Sequence, residues 1–116
     1  DEIHALWRGY LAEIAKSPNI VIKLGGFGME YCGFGWHERT RPPSSQEMAD
    51  ATRRTFDTAI ELFGPNRAMF ESNFPVDKVS SSYGVLWNAF KRITANYSAS
   101  EKAALYHDTA ARVYRL

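Results

Sequence analysis

Apolar residues recur at Ile3, Leu6, Trp7, Tyr10, Leu11 and Ile14. That is the spacing of one helix face, and it predicts an amphipathic helix over roughly residues 2–16. Ser17-Pro18-Asn19 ends it, because proline cannot continue the hydrogen-bond ladder and pushes its predecessor out of the helical region. Ile20-Val21-Ile22-Lys23-Leu24 follows with strong β-branching and little alternation, the pattern of a buried parallel strand. From Gly25 to Pro43 the chain is irregular and rich in glycine and aromatic residues. Ser44 three residues before Glu47 is a capping-box pattern, opening a helix over about 45–63. Its inward face is Met48, Thr52, Phe56, Ala59, Ile60 and Phe63, and Gly64-Pro65 supplies the stop.

A second short strand is predicted at Ala68 to Glu71. A helix at about 82–95 carries Tyr83, Leu86, Trp87, Phe90 and Ile93 on one face. Ser98 with Glu101 is another capping box, opening a last helix with Ala104, Leu105 and Val113 inward. The order α–β–loop–α–β–α–α points to an α/β fold with a parallel strand pair. Two strands, each patterned for burial on both faces, cannot bury themselves under four helices. The sheet is therefore expected to be incomplete, with further strands supplied by absent sequence or by another chain.

Composition narrows the function classes. Fourteen basic against thirteen acidic residues give a net charge of +1, so no strong field attracts nucleic acid or an anionic membrane. No apolar run approaches the roughly 20 residues of a membrane span, and residues 1–7 show no secretory pattern. Cys32 is the single cysteine, which excludes an internal disulfide and fits a cytoplasmic location.

The densest chemical signal is Met69-Phe70-Glu71-Ser72-Asn73-Phe74-Pro75-Val76-Asp77, where an apolar run breaks into polar residues, a proline and a carboxylate. Reacting groups of parallel α/β proteins sit at the carboxyl ends of strands, so Asn73 and Asp77 read as the rim of a site. The competing reading is a plain strand-to-helix turn built from ordinary turn residues. Lys23, inside the first strand, must reach a partner or solvent and is a candidate site cation. The long loop from Glu30 to Arg39 follows a strand and is a candidate substrate cover, with Glu30, Tyr31, His37 and Arg39 as its polar contacts.

Other motifs carry less. Gly26 and Gly28 have dinucleotide-loop spacing, but Tyr31 replaces the third glycine and no helix opens directly afterward. His4, His37 and His107 have no metal-motif spacing, so no metal ligand is assigned in this chain. Cys32 has no activating partner fixed by sequence. Ser80-Ser81-Ser82 fits a helix cap better than a nucleophile, and there is no nucleophile-elbow motif.

Ile20-Val21-Ile22-Lys23-Leu24-Gly25-Gly26, the segment Arg67 to Asp77, and the closing Ala110-Ala111-Arg112-Val113-Tyr114-Arg115-Leu116 together resemble the carboxyl-terminal part of the amidohydrolase-related proteins. These are TIM-barrel hydrolases that include lactonases. The resemblance runs in order over nearly the whole chain. It implies that residues 1–116 are the C-terminal portion of a (β/α)8 barrel and that the two strands are its seventh and eighth. It implies hydrolysis of a C–O or C–N bond, such as that of a lactone or cyclic ester, in a small-molecule substrate. A divalent metal such as zinc is implied for a full-length parent, and none is assigned to this chain itself.

In the family the eighth strand typically closes on an aspartate in a Gly-Ser-Asp-Phe/Trp-Pro context, acting as metal ligand or general base. The matching position here is Asn73, within Glu-Ser-Asn-Phe-Pro. An amide cannot take a proton, so Asn73 is expected to orient substrate or water, with Asp77 as the fallback base. The family's amino-terminal His-x-His has no counterpart, and the isolated chain is expected to be inactive. The alternative is a non-catalytic α/β module that binds a partner protein through its strand edges and aromatic loop. Unpaired edges favour self-association on either reading.

Overall fold

The computed structural model describes residues 1–116 as an α/β unit in which helices pack on a small parallel sheet. In chain order the elements are α1 (Glu2–Ala15), β1 (Ile22–Leu24), α2 (Ser45–Phe63), β2 (Ala68–Phe70) and α3 (Tyr83–Ile93). A closing helical stretch follows, made of α4 (Ala99–Ala103), a π-helical turn (Ala104–Asp108) and α5 (Thr109–Tyr114). β1 and β2 pair in parallel with Ile22 opposite Ala68, Lys23 opposite Met69 and Leu24 opposite Phe70. The predicted parallel pair is present, but β1 is shorter than expected. Ile20 and Val21 fall outside it, because pairing begins only where Ile22 meets Ala68.

Side chains alternate across a strand, so Leu24 and Phe70 share one face and Lys23, Met69 and Glu71 the other. Leu24 and Phe70 lie in the main core with Phe56 and Ile60 of α2, Leu86 and Phe90 of α3, and Leu105 of the π turn. Phe90 is its centre, stacked on Phe70 at 4.5 Å between ring centroids and edge-on to Phe56 and Trp87. All six residues expected on the inner face of α2 are buried. Ser44 Oγ accepts the Glu47 backbone N–H at 3.1 Å, while the Glu47 carboxylate turns to Arg39 at 2.8 Å. The second box is complete, with Ser98 and Glu101 bonding reciprocally.

Arg67 sets where the strands begin. Its guanidinium donates to the carbonyls of Ala15, Ser17, Ile20 and Phe63. One side chain thus caps the ends of α1 and α2 and fixes the approach to β1 against the start of β2. Planar, five-donor geometry is what makes a single arginine suited to this.

One expectation needs correction, and two exposed features stand beside it. Val113, expected inward, lies at the surface about one-third exposed, and Tyr83 of α3 is about half exposed. The more consequential difference is α1. Ile3, Leu6, Tyr10 and Ile14 form its most apolar stripe and all four are exposed. The helix instead turns Leu11 and Ala15 inward, and Arg8 bridges to Glu61 of α2 at 3.1 Å. Periodicity locates an apolar stripe but not what lies against it; here nothing in the chain covers it. No helix is long and apolar enough to cross a membrane.

Candidate active site at the end of the second strand

The polar cluster forms because two loops leave parallel strands side by side. Beyond β2 the ladder continues for one bond, Glu71 N–H to Leu24 O at 3.1 Å, which sets Glu71 beside Gly25. Only glycine fits there: a Cβ on residue 25 would lie 2.4 Å from the Glu71 carbonyl oxygen and 2.9 Å from its Cγ. One Glu71 carboxylate oxygen, Oε2, accepts the Asn73 backbone N–H at 2.8 Å. Asn73 adopts φ 53°, a left-handed conformation that asparagine tolerates better than most residues. Ser72 Oγ accepts the Phe74 N–H, completing a tight turn.

Asp77 closes the cluster from the other side. It is 1% exposed, and both carboxylate oxygens are engaged. Oδ2 accepts the Gly28 N–H at 3.0 Å and Oδ1 accepts the Asn73 side-chain amide at 2.6 Å. Ser80 Oγ donates to the Gly28 carbonyl at 2.6 Å, so Gly28 is held on both its polar groups. A Cβ at Gly28 would stand 2.8 Å from Asp77 Cγ, which is why the loop approaches so closely. An ionised carboxylate only accepts hydrogen bonds, so the contact fixes the Asn73 amide with its nitrogen toward Asp77. Its Oδ1 has no partner in the chain and is not enclosed, so it faces outward as an acceptor.

The remaining candidates are more dispersed. Lys23 is exposed on β1, on the same face as Glu71. Glu30 and Tyr31 lie in a short 3-10 turn, where they line a groove of about 290 Å³ with Met29, Val76 and Val79. The two loops therefore share a concave surface beside the cluster. His37 lies 3.7 Å from Glu38 in a second turn, and Arg39 is committed to Glu47 of α2. Neither lines that groove. Cys32 Sγ points to the Gly26 carbonyl at 3.4 Å, and burial, helped by the Asp77 charge, pushes its thiol pKa up, away from nucleophilic use.

Two residues at this site carry more than sequence reasoning gave them. Ser80 was read as cap material, yet Ser82 caps α3 and Ser80 locks Gly28. Glu71 was read only as the end of a strand. Its one legible signal was a carboxylate two positions before Asn73, where the family pattern has glycine.

The chain belongs to the amidohydrolase family, whose model matches residues 1–116. An uncharacterized protein, y4mH, of Sinorhizobium fredii is 44% identical over 110 residues, covering 95% of this chain and 33% of that protein. L-fucono-1,5-lactonase of Burkholderia multivorans is 34% identical, covering 100% of this chain and 37% of the lactonase. A crystal structure of an amidohydrolase from Burkholderia multivorans with bound zinc superimposes with a TM-score of 0.81 at 33% identity. The match covers 97% of this chain and 37% of that one. A second crystal form of that amidohydrolase, with bound HEPES, matches equally well. The chain thus spans about a third of the length of the curated relatives it matches.

Zinc in that neighbour does not find a ligand set among these residues. No three His, Cys, Asp or Glu side chains stand close enough together to hold an ion, and the Asp77 oxygens are already bonded.

Proposed function

We propose that this chain is the carboxyl-terminal portion of a (β/α)8 hydrolase, with β1 and β2 as its seventh and eighth strands. The whole would hydrolyse a C–O or C–N bond by attack of water at the barrel mouth, with a lactone ester as the favoured substrate. The observation that carries this reading is the polar rim at the carboxyl end of β2, built beside the β1 loop on a sheet too narrow to stand alone. Strand ends of this kind are where barrel enzymes place their chemistry. Kinship to a lactonase supports the substrate class.

On this reading Asn73 presents Oδ1 to a hydroxyl or water, and Asp77 holds it in place; an enclosed carboxylate with both oxygens bonded suits positioning better than proton transfer. Lys23 faces the barrel interior, and Glu30 and Tyr31 border the substrate groove. A metal serving such an enzyme would draw its ligands from the rest of the barrel. The exposed α1 stripe of Ile3, Leu6, Tyr10 and Ile14 is then a seam for that remainder, since an uncovered apolar row of this size otherwise promotes association.

Two preparations test the proposal: this chain alone, and the longer polypeptide in which it completes a barrel. The longer polypeptide is expected to hydrolyse sugar 1,5-lactones. The isolated chain is expected to show no turnover and to sediment as concentration-dependent oligomers. A compact, monomeric isolated chain with lactonase activity would overturn the barrel reading. A longer polypeptide inert toward lactones, other esters and amides would overturn the hydrolase reading.

A further inference from the structure

We infer that Glu71, not Asp77, is the proton-accepting residue at this rim. The inference rests on the hydrolase reading above and assigns its missing base. Asn73 is neutral and cannot accept a proton, and both Asp77 oxygens are occupied inside the fold. Glu71 differs on every count. It stands at the carboxyl end of β2, on the face shared with Lys23 and opposite to the core residues Leu24 and Phe70.

Its carboxylate forms no ion pair: none of the chain's salt bridges includes it. Oε2 is steadied by the Asn73 N–H at 2.8 Å. Oε1 has no partner in the chain and keeps contact with solvent, so it is open to a bound water. Gly25 provides the room, since any side chain there would overlap the Glu71 Cγ and Cδ.

Glu71 Oε1 and Asn73 Oδ1 are thus two outward acceptors on one turn. A water donating one hydrogen to each has its oxygen lone pair free for attack. In the step, Glu71 takes a proton from this water as the water oxygen bonds to the lactone acyl carbon. The tetrahedral intermediate then collapses and the ring C–O bond breaks. The departing alkoxide takes the proton from the Glu71 carboxylic acid, regenerating the carboxylate. The sum is lactone plus water giving the hydroxy acid.

The test is Glu71→Gln in the complete hydrolase. Glutamine keeps the length and an acceptor for the Asn73 N–H, so the turn is retained while the basicity is lost. The expected result is a fall in kcat of about 100-fold or more, an unchanged Tm, and loss of the acidic, carboxylate limb of the kcat/KM–pH profile. A wild-type rate in the variant would overturn the assignment, as would a reduced rate with the acidic limb intact. Both results leave the hydrolase reading standing. Absence of turnover in the wild-type protein would instead overturn both.

Discussion

Asp77→Ala is expected to lower the unfolding free energy by about 2–4 kcal/mol, since removing one partner of a buried hydrogen bond leaves the other unsatisfied at about 1–3 kcal/mol each. Two donors are stranded at once: the Gly28 N–H, which is buried, and the Asn73 amide. Ser80 still holds the Gly28 carbonyl, so the loop loses one anchor rather than all of them. Asp77→Asn separates the structural from the orienting effect. Its carbonyl can still accept from Gly28, but its NH2 then faces the Asn73 side chain and favours a flip of that amide. The site would then present a donor outward in place of an acceptor. Urea unfolding of both variants checks the prediction: a large midpoint shift for alanine, a smaller one for asparagine. Equal stability of wild type and Asp77→Ala would show that the bonds from Gly28 and Asn73 contribute nothing.

Phe90→Ala is expected to cost about 3–5 kcal/mol, the range for removing a buried phenylalanine from a well-packed core. Phe90 is 2% exposed and its ring touches Phe56, Phe70 and Trp87, joining α2, α3 and β2. Its loss leaves a cavity directly behind β2. Phe90→Leu retains most of the volume and is expected to cost less than half as much. Chemical unfolding with an unchanged denaturant slope checks both values. A shift for alanine below about 1 kcal/mol would mean that the three elements are held together elsewhere.

Much of the fold was legible because its signals are local. The inner face of α2 follows from spacing alone, and the Ser98–Glu101 box forms as written. The parallel pair was legible from β-branched runs and the intervening helix. What escaped is set by distance along the chain. Gly28 and Asp77 are 49 residues apart, and nothing in either segment announces the other. Arg67 reaches back 52 residues to Ala15, and no periodicity records that. The α1 helix and its apolar stripe were legible, but not what lies against the stripe. Nothing in the chain covers that stripe, and α2 takes a neighbouring, more polar face through Arg8 and Glu61. At the candidate site, the polar character of the strand end was legible from its break into polar residues. The division of labour among its three polar side chains was not. It depends on which carboxylate is enclosed and which is open, and Glu71 and Asp77 look alike in sequence.

The central claim is that the end of β2 lines the reaction site of a larger hydrolase. Asn73→Ala in the complete polypeptide tests it most directly, because the substitution removes the unpartnered amide oxygen, together with the amide's bond to Asp77. Lactone turnover, measured as kcat/KM on protein verified as folded, is predicted to fall by at least about tenfold, the equivalent of losing one good hydrogen bond of roughly 1.4 kcal/mol in the transition state. Turnover at the wild-type level would contradict it and place the chemistry elsewhere.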